Sequence, residues 1–230
     1  MSIIAVIVAG GNSQRFGGDL PKQFVDIAGR PMLAWAIERF EAARSIDRIV
    51  VVVPEEHLAH TGTEVIDRYG YSKVWKLVPG GETRQESVYC GLQALPESTE
   101  IVLIHDSARP LVSPQDIDAV ADEAKRSRAA MLATPANDTV KRVENGVVVA
   151  TLDRDRLYLA ETPQGFEFRL ILEAHRRASH EGRQVTDDAQ LIEGDGISVK
   201  VVESSSCNMK ITSQADRQLA EALLQGEQVV

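Results

Sequence analysis

The feature that most constrains this chain is a series of short β-branched apolar runs separated by stretches of helical periodicity. IIAVIVA (3–9), RIVVVV (48–53), VWKLV (74–78), EIVLIH (100–105) and AAMLAT (129–134) have strand length and the Val/Ile content of a buried sheet. Between them, PMLAWAIERFEAA (31–43), EEHLAHTGTEVIDRYG (55–70), ETRQESVYCGLQAL (82–95) and SPQDIDAVADEAKRS (113–127) place apolar residues at helical spacing. Strand–helix alternation of this kind requires crossover connections. It predicts an α/β fold, a three-layer, mostly parallel, Rossmann-like sheet whose apolar runs are central strands covered on both faces. Pro31 in a first turn, and Ser113-Pro114 as cap and first helical residue, punctuate the helix starts.

The alternation breaks after Asp138. TVKRVE (139–144) and VVVATL (147–152) flank Asn145-Gly146, a dipeptide that tolerates the positive φ angles of a type I′ turn, so a β-hairpin is inserted. An isolated hairpin is marginal in water and needs something to lie against. The economical partner is a second copy of the chain, so the expectation is one domain over 1–230, with a β-arm at about 138–157 that forms a homodimer. FRLILEAHRRASHEG (168–182), TDDAQLIEG (186–194), ISVKVVE (197–203) and a helix from Ser213 to about Gln225 then return to the α/β pattern.

A formal charge of −9 would repel a polyphosphate backbone, which argues against nucleic acid as a partner and requires any phosphate chemistry to use a few focused cations. The two cysteines, Cys90 and Cys207, form no CxxC or Cys/His cluster, which favours a reduced, cytoplasmic setting. The apolar start, Ile3 to Ala9, runs straight into glycines without a basic segment before it. It reads as a strand and gives no reason to expect a membrane partner.

Chemistry concentrates where that first strand opens into AGGNSQRFGGDLPKQF (9–24). In an open α/β sheet, ligands bind beyond the carboxyl ends of the strands, and glycines there let backbone N–H groups approach phosphate oxygens. The spacing is neither GxGxxG nor GxxxxGK[ST]. It carries instead Arg15 and Lys22, seven residues apart, with Pro21 stiffening the approach to Lys22. Two cations bracketing one anionic group can neutralise the charge that spreads over a phosphoryl transition state.

With these residues the chain resembles the 2-C-methyl-D-erythritol 4-phosphate cytidylyltransferase family over essentially its whole length. The resemblance implies that Ala9, Gly10, Gly11, Ser13, Arg15 and Lys22 hold the triphosphate of CTP, with Arg15 and Lys22 stabilising the transition state. Ser13 departs from the glycine common at its position, and Glu82 from the usual aspartate. GGETRQESV (80–88) implies cytosine contacts from Gly81, Glu82 and Ser87, and HDSARP (105–110) implies Asp106 on the ribose and Mg²⁺ side and Arg109 on the substrate. PANDTVKR (135–142), LDRDRLYLAETPQ (152–164), TDD (186–188) and CNMKIT (207–212) imply substrate contacts from Thr139, Arg154, Thr162, Thr186 and Lys210. Arg154, in the arm, would reach across the dimer; it and Lys210 complete the implied catalytic set.

The implied reaction is attack by a phosphate oxygen of the polyol phosphate on the α-phosphorus of CTP. Such a monoester has its second pKa near ~6, is a dianion at neutral pH and requires no general base. The five histidines, with no evident ligand partner, accordingly read as structural. Alternatives are a ribitol 5-phosphate cytidylyltransferase, a nucleotide-sugar glycosyltransferase and a nucleotide-binding regulator. His105-Asp106-Ser107 lacks the second Asp of a glycosyltransferase DxD, and a regulator would have no use for Arg15 and Lys22.

Overall fold

The computed structural model describes residues 2–10, 21–194 and 196–227. Its strands of four or more residues are β1 (Ile3–Val8), β2 (Arg48–Val53), β3 (Val74–Pro79), β4 (Ile101–Asp106), β5 (Ala129–Pro135), β6 (Lys141–Glu144), β7 (Val147–Thr151), β8 (Tyr158–Glu167) and β9 (Lys200–Glu203). The longer helices are α1 (Met32–Ala42), α2 (Arg84–Gln93), α3 (Pro114–Ser127), α4 (Phe168–Glu181) and α5 (Gln214–Glu227). Seven strands form one sheet in the order β9-β5-β8-β4-β1-β2-β3.

β1, parallel to both β2 and β4, is buried along its whole length. Its alternate side chains feed two cores. Ile3, Ala5 and Ile7 meet Leu33, Ile37 and Phe40 of α1 and Ile117 and Val120 of α3. Ile4, Val6 and Val8 meet Val88 and Leu92 of α2 and Phe168 and Ile171 of α4. That alternation is the physical content of the three-layer expectation. A third cluster seats α5, with Ala220 and Leu224 against Ile27, Trp35 and Leu111.

Four features depart from the sequence expectation. VWKLV is an edge strand with a half-exposed burial pattern, and Trp75 lies 38% exposed between Arg48 and Lys76. The ten-residue β8, which runs antiparallel between β4 and β5, went unrecognised because turn and charged residues interrupt its apolar pattern. The expected helix over 55–70 is broken into a 3-10 turn (Glu55–His57), a short α segment (Leu58–Thr61) and a π-helical stretch (Gly62–Asp67). Of ISVKVVE, only Lys200–Glu203 is paired.

The hairpin forms as expected. Asn145 and Gly146 have φ of 50° and 79°, and β6 and β7 pair only with each other in a two-stranded sheet. Val143, Val147, Val148 and Val149 are left exposed on it, from 43% to 63%.

Candidate functional site

α2 lies unusually close to the sheet. A Cβ on Gly91 would sit 2.5 Å from Val6 Cγ1 and 2.9 Å from Val52 Cγ2, so only glycine permits this approach. The helix begins at a capping box in which Thr83 accepts from the Glu86 N–H and Glu86 reaches back to the Thr83 N–H. Its first turn is thereby fixed over the carboxyl ends of β1 and β4.

Ser87, buried on this helix, joins two glycine loops. Its hydroxyl donates to the Gly81 carbonyl at 3.4 Å, and a Cβ on Gly80 would lie 2.7 Å from Ser87 Oγ. Gly10 comes almost as close, with its notional Cβ at 3.1 Å. Ala9, which donates its N–H to the Val52 carbonyl at 2.8 Å, keeps the first loop in line with the sheet. Gly10, Gly80 and Gly81 thus gather about Ser87 where a crevice for a nucleotide base is expected, while Glu82 is exposed beside them. Gly11, Ser13 and Arg15 lie outside the described residues. Lys22 opens a 3-10 turn, Lys22–Phe24, anchored by buried Gln23 and by Phe24, whose ring makes edge contacts with His57 and His60.

At the end of β4 a charged cluster surrounds Asp106. Its Oδ1 accepts from Arg84 Nε at 2.7 Å and its Oδ2 from Lys210 Nζ at 2.5 Å. Burial by itself would raise this carboxyl, but Arg84 and Lys210 outweigh it and hold Asp106 well below the usual carboxylate range. Arg84 also meets Asp188 Oδ2 at 2.9 Å, as an ion pair too oblique for a well-aligned hydrogen bond. Lys210 is 41% exposed at the side chain, against 26% for Arg84.

Behind Asp106, protons can be assigned from donors and acceptors alone. The Arg109 carbonyl only accepts, so His105 Nε2 carries the hydrogen it donates at 3.1 Å. His105 Nδ1 then accepts the Thr162 hydroxyl at 3.0 Å, and Thr162 Oγ1 accepts the Asp106 N–H at 3.1 Å. Burial drives the His105 pKa down to about 4, which keeps this imidazole neutral. The Arg109 guanidinium donates to the carbonyls of Asn208 (2.7 Å) and Ala160 (3.2 Å), and burial lowers its pKa from the usual arginine value.

Of the residues expected from the sequence, the fold thus joins Asp106, Arg109, Thr162 and Lys210, which come from three separate stretches of chain. Thr139 and Arg154 are exposed on the arm, and among the described residues no hydrogen bond or ion pair links either to this cluster. Arg154 donates instead to the Asn137 carbonyl at 2.6 Å. Thr186 is exposed on the loop that leads to Asp188, with its N–H on Gln190 Oε1 at 3.1 Å. Arg84 and Asp188 were missed from sequence, as was a partner for His175, whose Nε2 lies 3.0 Å from Asp188 Oδ1. One signal was available for Arg84. A cation in the first turn opposes the helix macrodipole, so it demands carboxylates nearby.

Among the described residues no group of three His, Cys, Asp or Glu side chains gathers to hold a metal ion. Asp106, the candidate Mg²⁺ ligand, has both oxygens engaged by cations, one of which a divalent ion would have to displace. No helix of the described residues is long and apolar enough to cross a membrane.

A mostly parallel sheet with glycine loops gathered about Ser87 and a carboxylate–cation cluster at the carboxyl ends of its central strands defines a nucleotidyltransferase. The family described as IspD, 2-C-methyl-D-erythritol 4-phosphate cytidylyltransferase, matches residues 3–226, and the chain belongs to that family. It is 42% identical over 227 residues to the 2-C-methyl-D-erythritol 4-phosphate cytidylyltransferase of Pelotomaculum thermopropionicum, covering 98% of this chain and 95% of that protein. The enzyme of the same name from Halalkalibacterium halodurans is 42% identical over 224 residues, 97% of each chain. Among solved structures, 4-diphosphocytidyl-2C-methyl-D-erythritol synthase from Anaerococcus prevotii superposes with a TM-score of 0.86 at 31% identity, covering 97% of this chain and 96% of that one. The cytidylyltransferase of Thermus thermophilus gives 0.77 at 34% identity, over 96% and 98%.

Proposed function

We propose that this enzyme transfers the cytidylyl group of CTP to 2-C-methyl-D-erythritol 4-phosphate in isoprenoid precursor synthesis. A phosphate oxygen of the polyol attacks the α-phosphorus, the bond from that phosphorus to the β-phosphate's bridging oxygen breaks, and pyrophosphate leaves. The observation that carries the reading is Asp106 with a cation on each oxygen, beside the Ser87 crevice, in a chain so similar to enzymes of that name.

The two cations differ in freedom. Arg84 is shared by two carboxylates, whereas Lys210 is bound to one and is more exposed, so Lys210 is the cation free to turn to an incoming phosphate. Arg109, held by two backbone carbonyls, presents a fixed charge for the polyol phosphate. Arg15 and Lys22 are assigned to the triphosphate, and together these cations offset the repulsion between two anionic reactants. Asp106 would hold Mg²⁺ arriving with CTP, in place of one of its two cations, and the ion would supply positive charge at the triphosphate. Thr139 and Arg154 are assigned to the site of a second copy, reached by an arm whose exposed valines supply an apolar dimer surface. The expected setting is cytoplasmic.

Pyrophosphate release with CTP and each of two polyol phosphates tests the reading. Turnover is expected with the methylerythritol phosphate, and turnover with ribitol 5-phosphate alone would overturn it. Lys22→Ala should lower kcat by roughly 100- to 1,000-fold, the usual cost of removing a group that stabilises developing charge. Lys210→Ala should chiefly impair use of the polyol phosphate, and normal turnover in either variant sinks the assignment.

A further inference from the structure

Asp188 stands outside the crevice yet contacts one of the site's cations, Arg84. Its side chain is fully buried at the start of the 3-10 turn Ala189–Leu191. Besides Arg84 of α2, two elements hold it there. Gln164 of β8, itself 1% exposed, accepts the N–H groups of Asp188 and Ala189 through Oε1 at 3.1 and 3.0 Å. The Gln164 amide donates to Asp187 Oδ2 at 3.1 Å, which fixes the flip of that amide. His175 of α4 meets Asp188 Oδ1, and its other ring nitrogen, Nδ1, is buried without a partner, so Asp188 is its only hydrogen-bond partner among the described residues.

A carboxylate buried this deeply is costly and is a poor route to stability alone. What it accomplishes locally is orientation. The Arg84 guanidinium is drawn by Asp106 at Nε and by Asp188 at Nη2, the two nitrogens of one side-on fork, so each carboxylate takes one prong. Without Asp188, the favoured arrangement for Arg84 and Asp106 is the bidentate fork, two parallel N–H···O bonds that occupy both carboxylate oxygens. One of those oxygens is the one that now holds Lys210.

We infer that Asp188, braced by His175 and Gln164, is a positioning residue that keeps Arg84 on one oxygen of Asp106 and so reserves the other for Lys210. The inference rests on the proposed transfer reaction only for the role of Lys210; the geometry of Arg84 is independent of it. Asp188 neither touches substrate nor moves a proton. It keeps Lys210 singly bound and able to leave Asp106 for the polyol phosphate.

The test uses the full-length enzyme with Asp188→Asn, which keeps shape and removes charge. The expected result is a fall of up to roughly 100-fold in kcat/KM for the polyol phosphate, the scale for a reacting group displaced by about 1 Å, with KM for CTP within about threefold. A merely structural role would lower both substrates' parameters together with the folded fraction. In a double-mutant cycle, D188N added to K210A should cost little more than K210A alone; full additivity overturns the inference. A second readout requires no turnover. The Arg84 side-chain Nε–H resonance, assigned by substitution at Arg84, should shift in D188N, and an unchanged resonance overturns the inference. If D188N fails to fold, His175→Leu, which removes the brace, takes the same measurements with smaller shifts expected, and His175→Gln, which restores a donor, should recover most of them. If the unaltered enzyme releases no pyrophosphate with either polyol phosphate, the reaction reading fails while the resonance still decides the placement of Arg84.

Discussion

Replacing His105 with glutamine should change how stability depends on pH, because the buried imidazole is neutral in the folded chain and free to charge in the unfolded one. Desolvation takes its pKa from the ordinary 6.5 down to about 4. The sign follows from proton counting. Between those values the unfolded chain binds a proton that the folded chain refuses, so stability falls as pH is lowered through 6.5 and levels off near 4. At 1.36 kcal/mol per pH unit, lowering the pH from about 7 to about 4.5 removes roughly 2.5 kcal/mol through this group alone. Glutamine can still donate to the Arg109 carbonyl but does not titrate. Urea unfolding of both proteins at the two pH values should show the parent losing roughly 2.5 kcal/mol more than H105Q. Asp106 does not blur the comparison, since its depressed pKa places its own loss of stability below this window, and Glu161 is common to both proteins. Curves that fall in parallel would refute the assignment of a buried neutral imidazole behind Asp106.

Gly91→Ala should destabilise the fold by about 1–2 kcal/mol, because overpacking against Val6 and Val52 outweighs the better helix propensity of alanine, and a raised Tm would contradict the close approach of α2. If Arg154 serves the site of a second copy, mixing inactive R154A and K210A proteins under subunit exchange should restore activity. Half of the dimers would then be mixed, each with one intact site, so recovery to about a quarter of the parental rate is expected. Activity no higher than the mean of the separate variants would place Arg154 in its own chain's site.

The legibility of the fold tracked local physics. β1, β2 and β4 were evident because a strand buried on both faces is apolar throughout, and the Asn145-Gly146 hairpin because its turn requires positive φ. β8 escaped because its first three residues, Tyr158 to Ala160, are exposed, and its buried stretch carries Glu161, Thr162 and Gln164, polar residues satisfied by tertiary partners. The break at 55–70 escaped because nothing in the composition of Gly62–Asp67 distinguishes π-helical from α-helical hydrogen bonding.

The same division runs through the site. Residue types at strand ends and in the glycine loops, together with the family resemblance, brought out Lys22, Ser87, Asp106, Arg109 and Lys210, since phosphate chemistry needs cations and close backbone approach wherever the chain supplies them. The sequence by itself therefore determined the parallel centre of the sheet, the hairpin and the kind of chemistry. Only the tertiary structure decided which charges meet. Arg84 and Lys210 stand 126 residues apart, yet they share one carboxylate, and Asp188 becomes Arg84's neighbour only when β8, α4 and α2 are packed together. Ion pairing depends on distance in space, and a pattern read along the chain does not contain that distance.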